Sequence, residues 1–385
     1  MPEVAWTQFD SLPRKLSVQQ FHNLQGVYSI IGTDDFGPLA VLKWSYTVQE
    51  QDTLHYMSIL CENEAAYFIC SGKRSGTNTL LKGYWRKPVN TETGTVRIHI
   101  PDETVGKKMA IQVNYGDDEE TPDKTMTLTY LRPLNTKQDF EIIGHRGGGR
   151  MGDLLPASEN SVALLRMASQ LGATGVEIDI QLTKDSIPVL YHDDKINDRL
   201  TQKAGIRGSL NEYTFEELSA QIHLKNGERI PTLEQALKTI VFETPLHYVW
   251  LDAKDSASHH LLRKLQTEYI QKATSNGRTV EITIGIHDEA NLNNFKKLPL
   301  YQSIPSLCEL DTTEVKAINS KIWAPMWTEG LQKEQVQAMQ ASGKKVFVWT
   351  IDKAKDIREF MLEGGYDGIV SNYPSLVAFY YYTRE

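Results

Sequence analysis

Nowhere do apolar residues run unbroken for the ~18 positions that a membrane-crossing helix needs, so no stable insertion into a bilayer is expected. Residues 1–25 are mostly polar and lack the apolar core of a signal peptide, which points to the cytoplasm. A chain that had lost such a peptide would read the same, and would then be periplasmic or secreted. Basic residues are outnumbered, 41 Lys and Arg against 49 Asp and Glu, and the resulting charge of -8 argues against a nucleic-acid partner. Cysteine is scarce: Cys61, Cys70 and Cys308 form no CxxC and no metal-ligand spacing. Cys61 and Cys70 could pair, although buried free thiols fit the expected compartment better. No GxGxxG accompanies a strand, which removes the usual support for an open nucleotide-binding sheet.

What is present changes character near residue 135. Before it, eight short runs rich in Val, Ile, Thr and Tyr recur, at 26–32, 39–48, 54–60, 65–71, 79–85, 95–100, 108–114 and 125–132. Turn residues separate them, among them Thr33-Asp34-Asp35 and Gly72-Lys73-Arg74-Ser75-Gly76. No helix intervenes, so residues 1–136 read as an all-β antiparallel barrel or sandwich. Leu24–Gly32 followed by these strands resembles, in outline, an up-and-down lipocalin barrel.

From 137 to 385 apolar strands alternate with amphipathic helices, the mark of parallel α/β architecture. Strands are expected at 142–145, 176–180, 247–252, 280–286, 307–310, 321–324, 345–350 and 367–370. Helices are expected over Ser161–Leu171, Leu233–Thr239, His259–Lys272, Leu331–Ala341 and Ile357–Gly364. Eight strands in about 245 residues is the size of one TIM-type (β/α)8 barrel. The C-terminal Phe379-Tyr380-Tyr381-Tyr382 run is expected to pack against the barrel.

Candidate chemistry collects at strand ends, where such barrels build their sites. His145 and Arg146 close the first strand and offer a proton carrier and a phosphate clamp. On the next, Glu177 and Asp179 are two apart and therefore face the same way. Buried together they would repel unless a cation joined them, and a hard divalent ion with oxygen ligands resolves this; two solvated acids on an exposed face is the alternative. Too few residues follow for a parallel crossover, so Thr183–Ser186 must turn as a hairpin. Pairing centred near Lys184 and Asp185 returns His192 to a place opposite Glu177. Asp252 and Lys254 share one face of a later strand end. Trp349, with Trp323 and Trp327, could wall a pocket or pack in the core. His223, His247, His259, His260 and His287 have no partner spacing and read as structural or solvated.

His145-Arg146-Gly147, Glu159-Asn160, Glu177-Ile178-Asp179, Thr183-Lys184-Asp185, His192-Asp193, Ile230-Pro231-Thr232-Leu233, Trp349-Thr350 and Asp367-Gly368-Ile369-Val370-Ser371-Asn372 occur in this order. Together they resemble the glycerophosphodiester phosphodiesterases over about residues 141–376. The resemblance implies a TIM barrel that hydrolyses glycerophosphodiesters to glycerol 3-phosphate and an alcohol. It implies His145 and His192 as the acid–base pair, and one divalent cation, Ca²⁺ or Mg²⁺, on Glu177, Asp179 and Asp252. Arg146 and Lys254 would meet the phosphate, with Glu159 and Trp349 also at the substrate, a small-molecule phosphodiester. The family usually has Glu where this chain has Asp252, which leaves the metal's identity open; Arg150 would be a further phosphate contact. A lysophospholipid or sugar phosphodiesterase on the same site, or a non-catalytic phosphodiester-binding module, are the competing expectations.

Overall fold

The computed structural model describes residues 1–12, 15–50, 52–101, 110–137, 139–203, 205–254 and 258–384. The chain divides into two compact units, one of residues 1–139 with 170–172 and 375–385, the other of 140–169 and 173–374.

The first unit is a closed antiparallel barrel, which decides between barrel and sandwich. Its strands are β1 (Gly26–Ile31), β2 (Leu39–Gln49), β3 (Asp52–Cys61), β4 (Tyr67–Ser75), β5 (Asn78–Lys87), β6 (Glu92–Ile100), β7 (Ala110–Asp117) and β8 (Lys124–Arg132). Each pairs with the next and β8 returns to β1. The run expected at 108–114 begins on two positions outside the described residues; β7 starts at Ala110. Alternate residues from every strand point inward, as the period of two demands. Tyr28, Leu42, Ile59, Phe68, Trp85, Ile98, Val113 and Leu128 belong to one buried apolar cluster. Eight strands enclose a space that side chains can just fill, and here they do. Cys61, Cys70 and Cys308 are free and buried. The C-terminal segment with the aromatic run belongs to this unit: Ser375 Oγ donates to Ala65 O at 2.8 Å and the Tyr380 hydroxyl donates to Glu62.

The second unit holds β9 (Glu141–Gly144), β10 (Gly175–Leu182), β11 (Pro188–Leu190), β12 (Tyr248–Ala253), β13 (Glu281–Ile286), β14 (Ser306–Cys308), β15 (Ile322–Trp323), β16 (Lys345–Val348) and β17 (Gly368–Ser371). All but β11 are parallel neighbours, and β9 pairs with both β17 and β10, closing an eight-strand ring. This is the expected α/β barrel. Inside the ring Tyr248 and Phe347 meet edge to face at 5.3 Å, within a cluster that includes Ile143, Trp250, Leu307, Ile322 and Val370. Helices Val162–Ala168, Leu233–Glu243, His259–Ser275 and Lys333–Ala341 lie where periodicity puts them. Three more, Phe215–Gln221, Glu289–Phe295 and Thr312–Ala317, have no more than seven residues each, too short for an apolar stripe to show. Ser161 and Thr232 cap their helices by accepting from Leu164 N and Gln235 N.

Candidate active site

The first strand end sets up the site. Gly144 leads into a single turn, His145–Gly147, in which Arg146 takes φ 54°. This left-handed backbone is costly for a side-chain-bearing residue, of order 1–3 kcal/mol. It turns the Arg146 N–H onto Glu177 Oε2 at 2.7 Å and its carbonyl onto Asn160 N at 2.8 Å. Gly147 follows at φ +87°, which glycine adopts without strain.

His145 Nδ1 lies 2.8 Å from Asn372 Oδ1, while its Nε2 faces Glu177 Oε2 at 3.8 Å. Burial, then the neighbouring Arg146, pushes the His145 pKa below its ordinary value. Arg146 is tied on both sides: Nη1 donates to Glu159 Oε1 at 2.8 Å and Nη2 to His192 Nε2 at 2.8 Å. His192 Nδ1 lies 2.7 Å from Asp193 Oδ1. Burial opposes ionisation of Asp193, but Arg199, His192 and Asn197 outweigh it and hold its carboxyl well below the usual range.

Glu177 and Asp179 alternate with Val176, Ile178 and Ile180, all three fully buried. The two acids are themselves 4% and 1% exposed, so the exposed-face alternative does not hold. β10 and β11 form the hairpin, pairing Ile180 with Leu190 and Leu182 with Pro188. That register is centred on Asp185, so His192 falls opposite Ile178, one residue from the expected partner.

Ligand atoms of Glu177, Asp179 and Asp252 lie within 4.8 Å of one another. Lys254 Nζ sits among them, 2.9 Å from Asp179 Oδ1 and 2.5 Å from Asp252 Oδ2. Burial works against its charge, yet Asp179, Asp252 and Glu177 hold the ammonium above lysine's ordinary pKa. Asn160 Nδ2 donates to Asp179 Oδ2 at 2.7 Å. One lysine does not satisfy three acids. Burial, then repulsion from Asp179 and Asp252, drives the Glu177 pKa well up. Glu177 Oε1 and Asp252 Oδ1 are enclosed and accept no hydrogen bond. Hard oxygen donors left over in this way fit a divalent cation.

His145, Arg146, Glu177, His192, Asp252, Lys254 and Trp349 line one cavity of about 280 Å³, with Trp250, His287, Glu309, Thr350 and Val370. Glu159 is not in its wall; both its oxygens accept inward, from Arg146 and from Met151 N at 2.6 Å, so it holds Arg146 rather than substrate. Trp323 is buried and donates to Leu310 O; Trp327 and Arg150 are not in the cavity wall either, and Arg150 binds Asp153 and Tyr373.

Two wall residues escaped sequence reasoning. His287 is neither solvated nor merely structural: it faces Asp252 Oδ1 across 3.5 Å, and that carboxylate raises its pKa. Glu309, pushed up to about 8 by burial and then Asp252, stands beside it. Each is the first residue beyond a strand, β13 and β14, as His145 is beyond β9; that shared position was the available signal.

The model of the Glycerophosphoryl diester phosphodiesterase family matches residues 145–376. The chain belongs to this family. Its antiparallel barrel lies before the matched segment. A glycerophosphodiester phosphodiesterase of Caldanaerobacter subterraneus is 29% identical over 243 residues, 60% of this chain and 94% of that one. Mouse glycerophosphodiester phosphodiesterase 1 is 36% identical over 156 residues, 37% of this chain but 42% of its own length. Among solved structures, a glycerophosphodiester phosphodiesterase from Parabacteroides distasonis superposes with a TM-score of 0.52 at 25% identity, over 64% of this chain and 99% of that one. The chain is therefore a phosphoric diester hydrolase of this family, and no helix among its described residues is long and apolar enough to cross a membrane.

Proposed function

We propose that this barrel hydrolyses glycerophosphodiesters to glycerol 3-phosphate and an alcohol, with His145 and His192 as base and acid. The observation that carries the reading is the meeting of both imidazoles, Glu177, Asp252 and Lys254 in one cavity, with Asp179 directly behind them in ligand reach of both carboxylates. Glu177, Asp179 and Asp252 would hold one divalent cation, Ca²⁺ or Mg²⁺, which when bound supplies Lewis-acid stabilisation of charge on the phosphoryl oxygens.

The hydrogen bonds favour His145 as base. The amide nitrogen of Asn372 donates to Asp352 Oδ2 at 2.7 Å, so its Oδ1 must accept from His145 Nδ1–H. Nε2 is then the free lone pair, and the depressed pKa keeps it free. It takes the proton of the attacking hydroxyl, either water, which gives glycerol 3-phosphate directly, or the glycerol itself, which gives a cyclic phosphodiester that a second attack by water opens. Arg146 and Lys254 face the phosphodiester anion. As Arg146 turns to that anion, His192 Nε2 is released to accept a proton, with Asp193 stabilising the imidazolium, and delivers it to the departing alkoxide. Trp349, its indole fixed by donation to Ala324 O at 2.9 Å, walls the alcohol side.

A cavity of about 280 Å³ is at the lower end of small-molecule sites and suits a small polar diester better than an acylated one. The test is release of glycerol 3-phosphate from a panel of glycerophosphodiesters, with and without EDTA. His145→Ala and His192→Ala should each cost about 10²–10⁴ in rate; near wild-type turnover in both would defeat the assignment.

A further inference from the structure

Asp252 has a second side. Its Oδ2 is taken by Lys254, while Oδ1 is enclosed and turned toward His287 Nδ1 at 3.5 Å, an ion-pair separation at which neither atom makes a hydrogen bond. Ligand atoms of Asp252, His287 and Glu309 all lie within 4.8 Å of one another. Sequence geometry explains the grouping: β12, β13 and β14 are consecutive in the ring, and Glu309 N donates to Ile286 O, setting Glu309 beside His287. Glu177 points into the same cavity, 4% exposed, with Oε1 unpartnered. Glu309 has no ion-pair partner among the described residues.

Charge makes the same point. Metal binding requires ionised carboxylates and a neutral imidazole; Glu177, Asp179, Asp252 and Glu309 then carry four negative charges against the Lys254 ammonium, since the charge of Arg146 is matched by Glu159. One divalent ion leaves the cavity with a net negative charge, and an incoming phosphodiester adds another. A second divalent ion brings the sum to zero. Shielded carboxylates without such balance are expensive.

We propose that Asp252, His287 and Glu309 form a second cation site, with Asp252 bridging it to the site on Glu177 and Asp179. This rests on the reading of the first site given above. An imidazole with two carboxylates suits a transition-metal ion such as Mn²⁺ or Zn²⁺, where the all-oxygen site suits Ca²⁺ or Mg²⁺. A shared carboxylate would set the ions within the few ångströms typical of two-metal phosphodiester chemistry.

The test is titration of metal-free protein with Mn²⁺, read by equilibrium dialysis and electron paramagnetic resonance. Wild type should bind two equivalents and show an exchange-coupled spectrum. His287→Ala and Glu309→Gln should each weaken the second equivalent by about tenfold or more and leave the spectrum of an isolated ion. Thermal melts identify any variant that has lost its fold, and either variant alone suffices. A single equivalent in wild type, or two coupled equivalents in both folded variants, overturns the second site and leaves the first intact. No binding at all overturns both.

Discussion

His145 Nδ1 stands 2.8 Å from Asn372 Oδ1, and that amide cannot turn round because Asp352 holds its other end. Asp352 also accepts from Asn372 N and Ser371 Oγ, so the orientation is fixed by three bonds. Asp352→Ala should free the amide to rotate and present its nitrogen to the imidazole. We expect kcat to fall ~10²-fold with little change in KM, and the pH–rate profile to shift, whereas a purely structural loss would leave the profile in place.

Glu177→Gln should separate stability from activity. Gln keeps an oxygen for the Arg146 N–H but removes one of three mutually repelling carboxylates. A carboxyl whose folded pKa is raised costs stability as pH rises above its unfolded value, so at pH 7 the metal-free variant should melt higher than wild type. Activity should fall by at least about 10². A lower melting temperature would count against the buried repulsion.

Glu159→Ala should leave the Arg146 guanidinium and the half-exposed Arg199 without their shared partner. Removing one member of a buried pair costs about 3 kcal/mol, readable by denaturant unfolding. With Arg146 unanchored, KM should rise more than kcat falls.

These predictions draw unequally on the sequence. Glu177 and Asp179 were legible because alternation along a strand is a local rule, and His145 because it ends the first strand. The hairpin was legible too, since a count of residues forbids a crossover, although its register came out one residue off. His287, Glu309 and Asp352 were not legible. Each is a single residue beyond an ordinary strand, one past it for His287 and Glu309 and four for Asp352, and only the order of strands in the sheet brings it to Asp252 or Asn372. The C-terminal aromatic run shows the same limit: Tyr381 and Tyr382 are buried as expected, but the Tyr380 hydroxyl bonds Glu62 of the antiparallel unit.

Asp193 should leave a mark on acid stability. Its folded pKa is depressed, so its contribution is complete above about pH 4 and is lost as pH falls through the folded value. Asp193→Asn should therefore melt lower than wild type at pH 7, with the gap closing below about pH 4. A constant gap from pH 7 to pH 2 would contradict the assignment.

The three thiols should be chemically silent. Burial lifts Cys70 and Cys308 to about 12, and Cys61 higher still. At pH 8 the thiolate fraction at a pKa near 12 is ~10⁻⁴, so a thiol reagent should label no cysteine in native protein and three after unfolding.

The N-terminal barrel is stoppered by its own side chains, with Phe36 meeting Phe68, Trp85 and Tyr115 edge to face within it. Among the described residues these rings occupy the interior that hollow barrels of the same strand number leave open. Trp44, Tyr46 and His55 continue the inward-facing alternation of β2 and β3 and meet half-exposed, with Trp44 packed against the buried cluster.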